Sequence, residues 1–168
     1  MKLVPVTEFD VNQWVETYEA VFNPEMAQRM GWDYVALGES PPSFTEFYDD
    51  MRARISSGDM YSWGIYNSDG KMVGYNTLAR TRDVPEWEIG TAVSDVEARN
   101  SGIGVRAHLE VLDFAFRSLQ AEWVWAISEV QSPEVERILE RGGYKRFAHF
   151  YLMHKDWYEA RWGRRRNE

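Results

Sequence analysis

The spacing of apolar positions changes along this chain, and each change marks an element. Met1 to Glu8 reads as a strand. Val11, Trp14, Val15, Tyr18, Val21 and Phe22 then recur at helical spacing. Asp10 is placed to cap that helix, with Gln13 as its reciprocal partner in a capping box. Ser43 and Glu46 make a second capping box ahead of Phe44, Phe47, Met51 and Ile55. That helix is predicted to end near Ser57 or Gly58. Between the two helices, Asn23 to Pro42 holds Pro24, Gly31, Gly38, Pro41 and Pro42, and reads as a long connection.

From Tyr61 the pattern becomes strand-like. Tyr61–Tyr66 and Lys71–Arg80 flank Asn67-Ser68-Asp69-Gly70, a hairpin turn in which Asp-Gly supplies positive φ. Trp87 to Ser94 alternates, with Trp87, Ile89, Thr91 and Val93 on one face and Glu88, Gly90 and Ala92 on the other. Ile103 to Leu119 returns to helical spacing, with Val105, Leu109, Leu112, Phe116 and Leu119 as the predicted buried stripe. Trp123 to Ser128 reads as a strand. Ser132 and Pro133 open a further helix, Val135, Ile138 and Leu139 form its apolar face, and Gly142-Gly143 end it. Tyr144 to Lys155 is strand-like, with Phe147, Phe150, Tyr151 and Met153.

The predicted order is β α α β β β α β α β β. A single helix joins the strands at Trp87–Ser94 and Trp123–Ser128, which predicts a parallel crossover. The fold class expected is α/β (α+β), a mixed, mostly antiparallel central sheet flanked by helices.

Composition narrows the function. The 168 residues fit a single domain over 1–168, with 158–168 expected as a frayed basic tail containing Arg161, Arg164, Arg165 and Arg166. The tail has a sharper reading as a tether for an acidic partner. The chain has no Cys, so a disulfide scaffold, a thiolate metal site and a cysteine nucleophile are excluded. His108, His149 and His154 show no metal-ligand spacing with a nearby carboxylate, so no metal is expected. The N-terminus reaches acidic residues too soon for a signal peptide, and no apolar run approaches the roughly 20 residues that span a bilayer. A soluble, cytoplasmic protein is expected, with no membrane partner. The net charge of −8 disfavours nucleic acid.

The chemistry concentrates where a strand gives way to a helix. Arg99-Asn100-Ser101-Gly102-Ile103-Gly104 has the form R-x-x-G-x-G. Its glycines permit close backbone approach, and the helix start offers free N–H groups and the positive end of a dipole. This is an anion site suited to a pyrophosphate, with Arg99 or Arg106 as a charged partner. A dinucleotide fold would need a series of parallel βαβ units, and a nucleotide-triphosphate loop would need G-K-[ST]; neither is present.

In its setting the motif resembles a known family. The stretch from Glu88 to Leu119 is similar to the core of the GNAT superfamily of N-acetyltransferases, whose coenzyme A signature is R-x-x-G-x-G opening a helix. Leu112-Asp113-Phe114-Ala115-Phe116 and Arg137 to Tyr144 resemble the branch that includes ribosomal-protein N-terminal acetyltransferases. The resemblance implies a GNAT-like acyl-CoA fold with acetyl-CoA as cosubstrate. The implied cofactor residues are Thr91, Ala92, Val93, Arg99, Asn100, Ser101, Gly102, Ile103, Gly104, Val105, Arg106 and Ser132. Thr91 to Val93 would present backbone groups where the strand splays from its parallel neighbour. Glu88, 14 residues before Gly102, matches the base of histone-type members. A solvated carboxylate, or one paired with Arg80 or Arg82, is the other reading of that residue.

The chain departs from the family pattern at several places. Ser132 stands where Asn is common, Val135 where the N-terminal branch often has Ser, Leu139 where other branches have Tyr, and Val105 where Thr or Ser is usual. Tyr151 is a candidate replacement acid, and Trp32 and Tyr34 are candidate acceptor contacts. The resemblance thus implies acetyl transfer to the primary amine of a small molecule, a protein N-terminus or a lysine, with a homodimer compatible. A GNAT-fold binding or scaffolding module without turnover is the alternative, and modification of a nucleic-acid base is a weaker one.

Overall fold

A computed structural model describes residues 1–8, 11–23, 43–80, 86–95, 97–99, 101–127, 133–147 and 150–162. The described strands form one seven-stranded sheet in the order β1-β2-β3-β4-β5-β7-β6. They are β1 (Lys2–Pro5), β2 (Met60–Tyr66), β3 (Met72–Ala79), β4 (Trp87–Val93), β5 (Trp123–Ile127), β6 (Lys145–Phe147) and β7 (Phe150–His154). Neighbours run antiparallel except β4 and β5, which are parallel as the crossover predicts. The described helices are α1 (Val11–Val21), α2 (Phe44–Ser57), α3 (Ile103–Arg117), α4 (Pro133–Gly142) and α5 (Lys155–Trp162).

Local chemistry sets the boundaries. Ser43 accepts from the Glu46 N–H while Glu46 Oε2 accepts from the Ser43 N–H, so the capping box opens α2 as expected. Gly58, at φ 78°, closes it. Gly70, at φ 79°, turns the β2–β3 hairpin.

The sheet buries both faces. Against one, α1 and α2 pack Trp14, Val21 and Met51 onto Met60, Met72, Tyr75 and Ala79. Against the other, α3 packs Val111, Leu112, Ala115 and Phe116 onto Leu78, Trp87, Ile89 and Val124, joined by Leu139, Tyr144, Tyr151 and Tyr158.

Several expectations need correction. The opening strand stops at Pro5 and becomes a short 3-10 turn over Val6–Glu8. Val11 is 46% exposed and lies outside the α1 core. Gln13 Oε1 accepts from the Met72 N–H, because β3 passes beside α1. Asp10 lies outside the described residues. The buried stripe of α3 is Ile103, Ala107, His108, Val111, Leu112, Ala115 and Phe116, while Val105, Leu109 and Leu119 are only half-buried. Ala107 and Ala115 form the face against the sheet because small side chains let the helix approach closely.

The last strand-like stretch divides into β6 and β7, which pair antiparallel. The basic tail begins as a helix. Tyr158 is 2% exposed, and its hydroxyl donates to Asp113 Oδ1 at 3.2 Å. Arg161 Nη2 donates to the Arg141 carbonyl at 2.7 Å and Trp162 Nε1 to the Gly142 carbonyl at 2.8 Å. These donors satisfy carbonyls that the end of α4 leaves open. Arg164, Arg165 and Arg166 lie outside the described residues.

Candidate active site

The parallel pairing of β4 and β5 is short. Trp87 lies opposite Val124 and Glu88 opposite Trp125, and among the described residues no further pair of β4 and β5 is registered. On its other side β4 pairs with β3 from Glu88–Ala79 to Val93–Gly74. Among the described residues, the later half of β4 therefore has a strand on one side and a fork on the other.

Glu88 stands at the branch point of that fork and is half-buried. Strand alternation puts it, with Gly90 and Ala92, on the α1–α2 face, where Ala92 packs. Its register partner Ala79 belongs to the same cluster. The other face of β4 meets α3. Val93 packs against Ile103 and Ala107, and Thr91 hydrogen-bonds to His108.

The loop after β4 is fixed by its own polar groups. Ser94 and Asp95 donate backbone N–H to the Val73 carbonyl. Asp95 Oδ1 accepts from the Ala98 N–H at 3.0 Å, and Asp95 Oδ2 pairs with Lys71 Nζ at 2.6 Å. Lys71 and these N–H bonds hold the Asp95 carboxyl below its usual pKa. Arg99 turns back onto the strand end, with Nε donating to the Val93 carbonyl and Nη2 to the Ser94 carbonyl. Its guanidinium thus staples the loop. Arg106, in the first turn of α3, is the exposed cation at the helix start.

Gly102 is the N-cap of α3 at φ 77°, and no side chain caps the helix there. A Cβ on Gly102 would enter open space, whereas one on Gly104 would stand 3.0 Å from Val93 Cγ2. Gly102 is therefore needed for its conformation and Gly104 for close approach of α3 to the strand end. Ser101 Oγ donates to the Ala98 carbonyl at 2.6 Å and accepts from the Ile103 N–H at 3.3 Å. The Gly102–Val105 segment thus begins the helix without a side chain on its N-cap residue, beside the open end of β4, which fits an anionic phosphate group.

A buried polar chain lies under β4 that the sequence reading missed. Asn76 Nδ2 donates to Thr91 Oγ1 at 2.6 Å. Thr91 Oγ1 lies 2.8 Å from His108 Nδ1, and His108 Nε2 lies 2.8 Å from Tyr144 Oη. Asn76, His108 and Tyr144 are 0%, 8% and 5% exposed. Gly143, at φ 98°, turns the chain after α4, and the Tyr144 N–H donates to the Leu139 carbonyl, which aims the phenol at α3. Burial pushes the His108 pKa down to about 4 and the Tyr144 pKa well above 10, so both are neutral near pH 7. The available signal was a histidine four residues before Leu112, on the apolar face of α3.

The structure thus gathers Glu88, Thr91, Ala92, Val93, Arg99, Ser101, Gly102, Ile103, Gly104, Val105 and Arg106 around the open half of β4 and the start of α3. Asn100 and Ser132 lie outside the described residues, as do Trp32, Tyr34 and Arg82. Val135 is half-buried and packs on the core that contains Leu139. Tyr151 is a core residue at 1% exposure, with the Arg146 guanidinium over its ring. Arg80 stacks over the Trp87 ring. Among the described residues no three His, Asp or Glu side chains group as metal ligands, and no helix is long and apolar enough to cross a membrane.

The fold has counterparts among known proteins. The family model for the acetyltransferase (GNAT) domain matches residues 1–145. No curated protein matches the chain. Among solved structures, the spermidine N-acetyltransferase of Vibrio cholerae in complex with CoA and spermine superposes with a TM-score of 0.73 at 13% identity, covering 94% of this chain and 96% of that one. An acetyltransferase from Agrobacterium tumefaciens gives 0.66 at 15% identity over 90% and 89% of the two chains. Mycobacterium smegmatis RimJ, in complex with CoA-disulfide, gives 0.59 at 18% identity over 68% and 62%.

Proposed function

Because the chain belongs to the GNAT acetyltransferase family, we propose that it transfers the acetyl group of acetyl-CoA to a cationic primary amine by direct attack within the β4–β5 fork. The observation that carries this reading is the end of β4–β5 pairing at Glu88–Trp125. It sets a carboxylate at the branch of a sheet whose open strand leads to a helix start opened by Gly102.

The cofactor residues divide the work. The backbone N–H groups of Gly102 to Val105, with Arg106, hold the pyrophosphate, and Asn100, Ser101 and Ser132 complete that end. The open backbone of Thr91, Ala92 and Val93 holds the thioester arm and donates to the carbonyl oxygen as it gains charge. Arg99 fixes the loop that carries these groups. Acetyl-CoA supplies an acyl group activated as a thioester.

Glu88 takes the amine proton, directly or through a water, so that nitrogen attacks as a neutral nucleophile. An N–C bond forms and the C–S bond breaks. Val135 and Leu139 offer no proton to the departing sulfur. A thiol with a pKa of about 8.5 leaves as thiolate and is protonated by water. The net charge of −8 attracts cationic amines, which fits a polyamine, a protein N-terminus or a lysine. The spermidine acetyltransferase among the neighbours takes an amine of this class. The LDFAF stretch favours the N-terminal branch instead, so the panel below includes both.

The apolar Val135 and Leu139 support a second reading, a CoA-binding module without turnover. Thiol release from acetyl-CoA with spermidine, a lysine peptide and free N-terminal peptides separates the two. Turnover on one amine, falling on the order of 100-fold in Glu88→Gln with CoA affinity unchanged, is expected. Coenzyme A binding with no thiol released on any amine would establish the module.

A further inference from the structure

The chain Asn76–Thr91–His108–Tyr144 has one more hydrogen than it has contacts to fill. Asn76 Nδ2 already donates to Thr91 Oγ1, and the Gly90 carbonyl 3.5 Å from the same nitrogen sets the amide's orientation. The Thr91–His108 and His108–Tyr144 contacts each use a single hydrogen. The Thr91 hydroxyl, the neutral imidazole and the Tyr144 hydroxyl together carry three.

Two arrangements follow. In the first, Thr91 donates to Nδ1, Nε2–H donates to Tyr144, and the Tyr144 hydrogen is spare. In the second, Tyr144 donates to Nε2, Nδ1–H donates to Thr91, and the Thr91 hydrogen is spare. With the Asn76 amide turned so that Nδ2 faces Thr91 and the Gly90 carbonyl, which leaves Asn76 Oδ1 buried without a partner, neither hydroxyl has another acceptor among the described residues. A buried donor without an acceptor is destabilising, so a ligand carbonyl within reach would select one arrangement.

The chain also spans the fork. Thr91 lies on the part of β4 that β5 leaves unpaired. Tyr144 lies between α4 and β6 in the chain, and β6 stands with β5 and β7 across that gap in the sheet order. His108, on α3, touches both.

We propose that His108 is a positioning residue for the acyl-CoA: it locks the open segment of β4, through Thr91, to the end of α4, through Tyr144, and bound cofactor draws it into the tautomer with hydrogen on Nδ1. In that state the Thr91 hydroxyl hydrogen is free for a carbonyl of the thioester arm. The inference rests on the fork being the acetyl-CoA site.

The test is a long-range ¹H–¹⁵N spectrum of the full chain, labelled in the histidine rings, with and without coenzyme A, beside calorimetric affinities of four variants. On binding, the His108 Nδ1 signal should move to the protonated, pyrrole-type range and Nε2 to the unprotonated range. His108→Leu, which loses both contacts, should weaken coenzyme A binding about tenfold, and His108→Gln, which keeps reach only to Tyr144, about as much. His108→Asn, whose amide nitrogen reproduces the Nδ1 contact, should stay within about threefold of the parent. If His108→Leu does not fold, Thr91→Val in its place removes the same contact and should show the same loss. Coenzyme A that binds while both ring signals stay fixed, or that binds His108→Leu or Thr91→Val like the parent, overturns the role of His108 and leaves the cofactor site standing. Failure of the parent chain to bind coenzyme A overturns both.

Discussion

At the scale of single residues, environment decides what each group can do. Glu88 is a carboxylate on an otherwise apolar strand, at the last point where β4 and β5 still pair. If it accepts the amine proton, Glu88→Gln lowers kcat/KM on the order of 100-fold at fixed pH, with the Kd for coenzyme A unchanged. A loss within about threefold in the variant would assign the proton to another group. His108 has a different consequence. Its pKa is lowered from 6.5 to about 4 by burial, so the unfolded chain binds a proton that the folded chain rejects. The stability this gives is complete above pH 6.5 and is lost as pH falls toward 4, amounting to about 3 kcal/mol. Urea unfolding at pH 7 and pH 4.5 should show the loss, and His108→Gln should flatten that part of the curve. These two residues were not equally legible in the sequence. Glu88 was visible because a local alternation isolates it. His108 was not, because its partners Asn76, Thr91 and Tyr144 come from distant segments and no local spacing announces them.

At the scale of elements, the boundaries that rest on short-range chemistry were readable. The Ser43–Glu46 box and Gly58 delimit α2, and Asp69-Gly70 fixes the β2–β3 hairpin. Ser43→Ala should therefore cost about 1 kcal/mol in thermal or urea unfolding, with coenzyme A affinity unchanged. The rotation of α3 was not readable. A pattern of large apolar residues points to Val105 and Leu109, whereas the helix presents Ala107 and Ala115 so that it can sit close to the sheet. Its partner surface, not its own sequence, settles which stripe is buried. The helix α5 was missed for a related reason. Its weak amphipathicity conceals that Arg161 and Trp162 serve carbonyls at the end of α4. The start of α3 carries the functional prediction. Gly104→Ala puts a Cβ against Val93 and should displace the helix start from the strand end. The expected result is a coenzyme A Kd raised about tenfold in titration calorimetry. An unchanged Kd would detach the helix start from the cofactor.

At the scale of the whole molecule, the sheet separates two duties. One face, with α1 and α2, carries Glu88, while the other, with α3, carries the polar chain beneath the open strand. The crossover from β4 to β5 through α3 explains why both meet at one fork, because a parallel pair joined by a helix ends beside that helix's start. Alternation and connection length made this topology legible in the sequence. The extent of the fork was not, since where β4–β5 pairing ends among the described residues depends on how β5 is held by β7. Coenzyme A in this fork and at this helix start would shield the backbone there, which hydrogen–deuterium exchange of the full chain, with and without coenzyme A, reads segment by segment. Slowed exchange confined to Thr91–Val93 and Gly102–Val105 is expected. Coenzyme A binding that leaves both segments unprotected and protects amides elsewhere would contradict it.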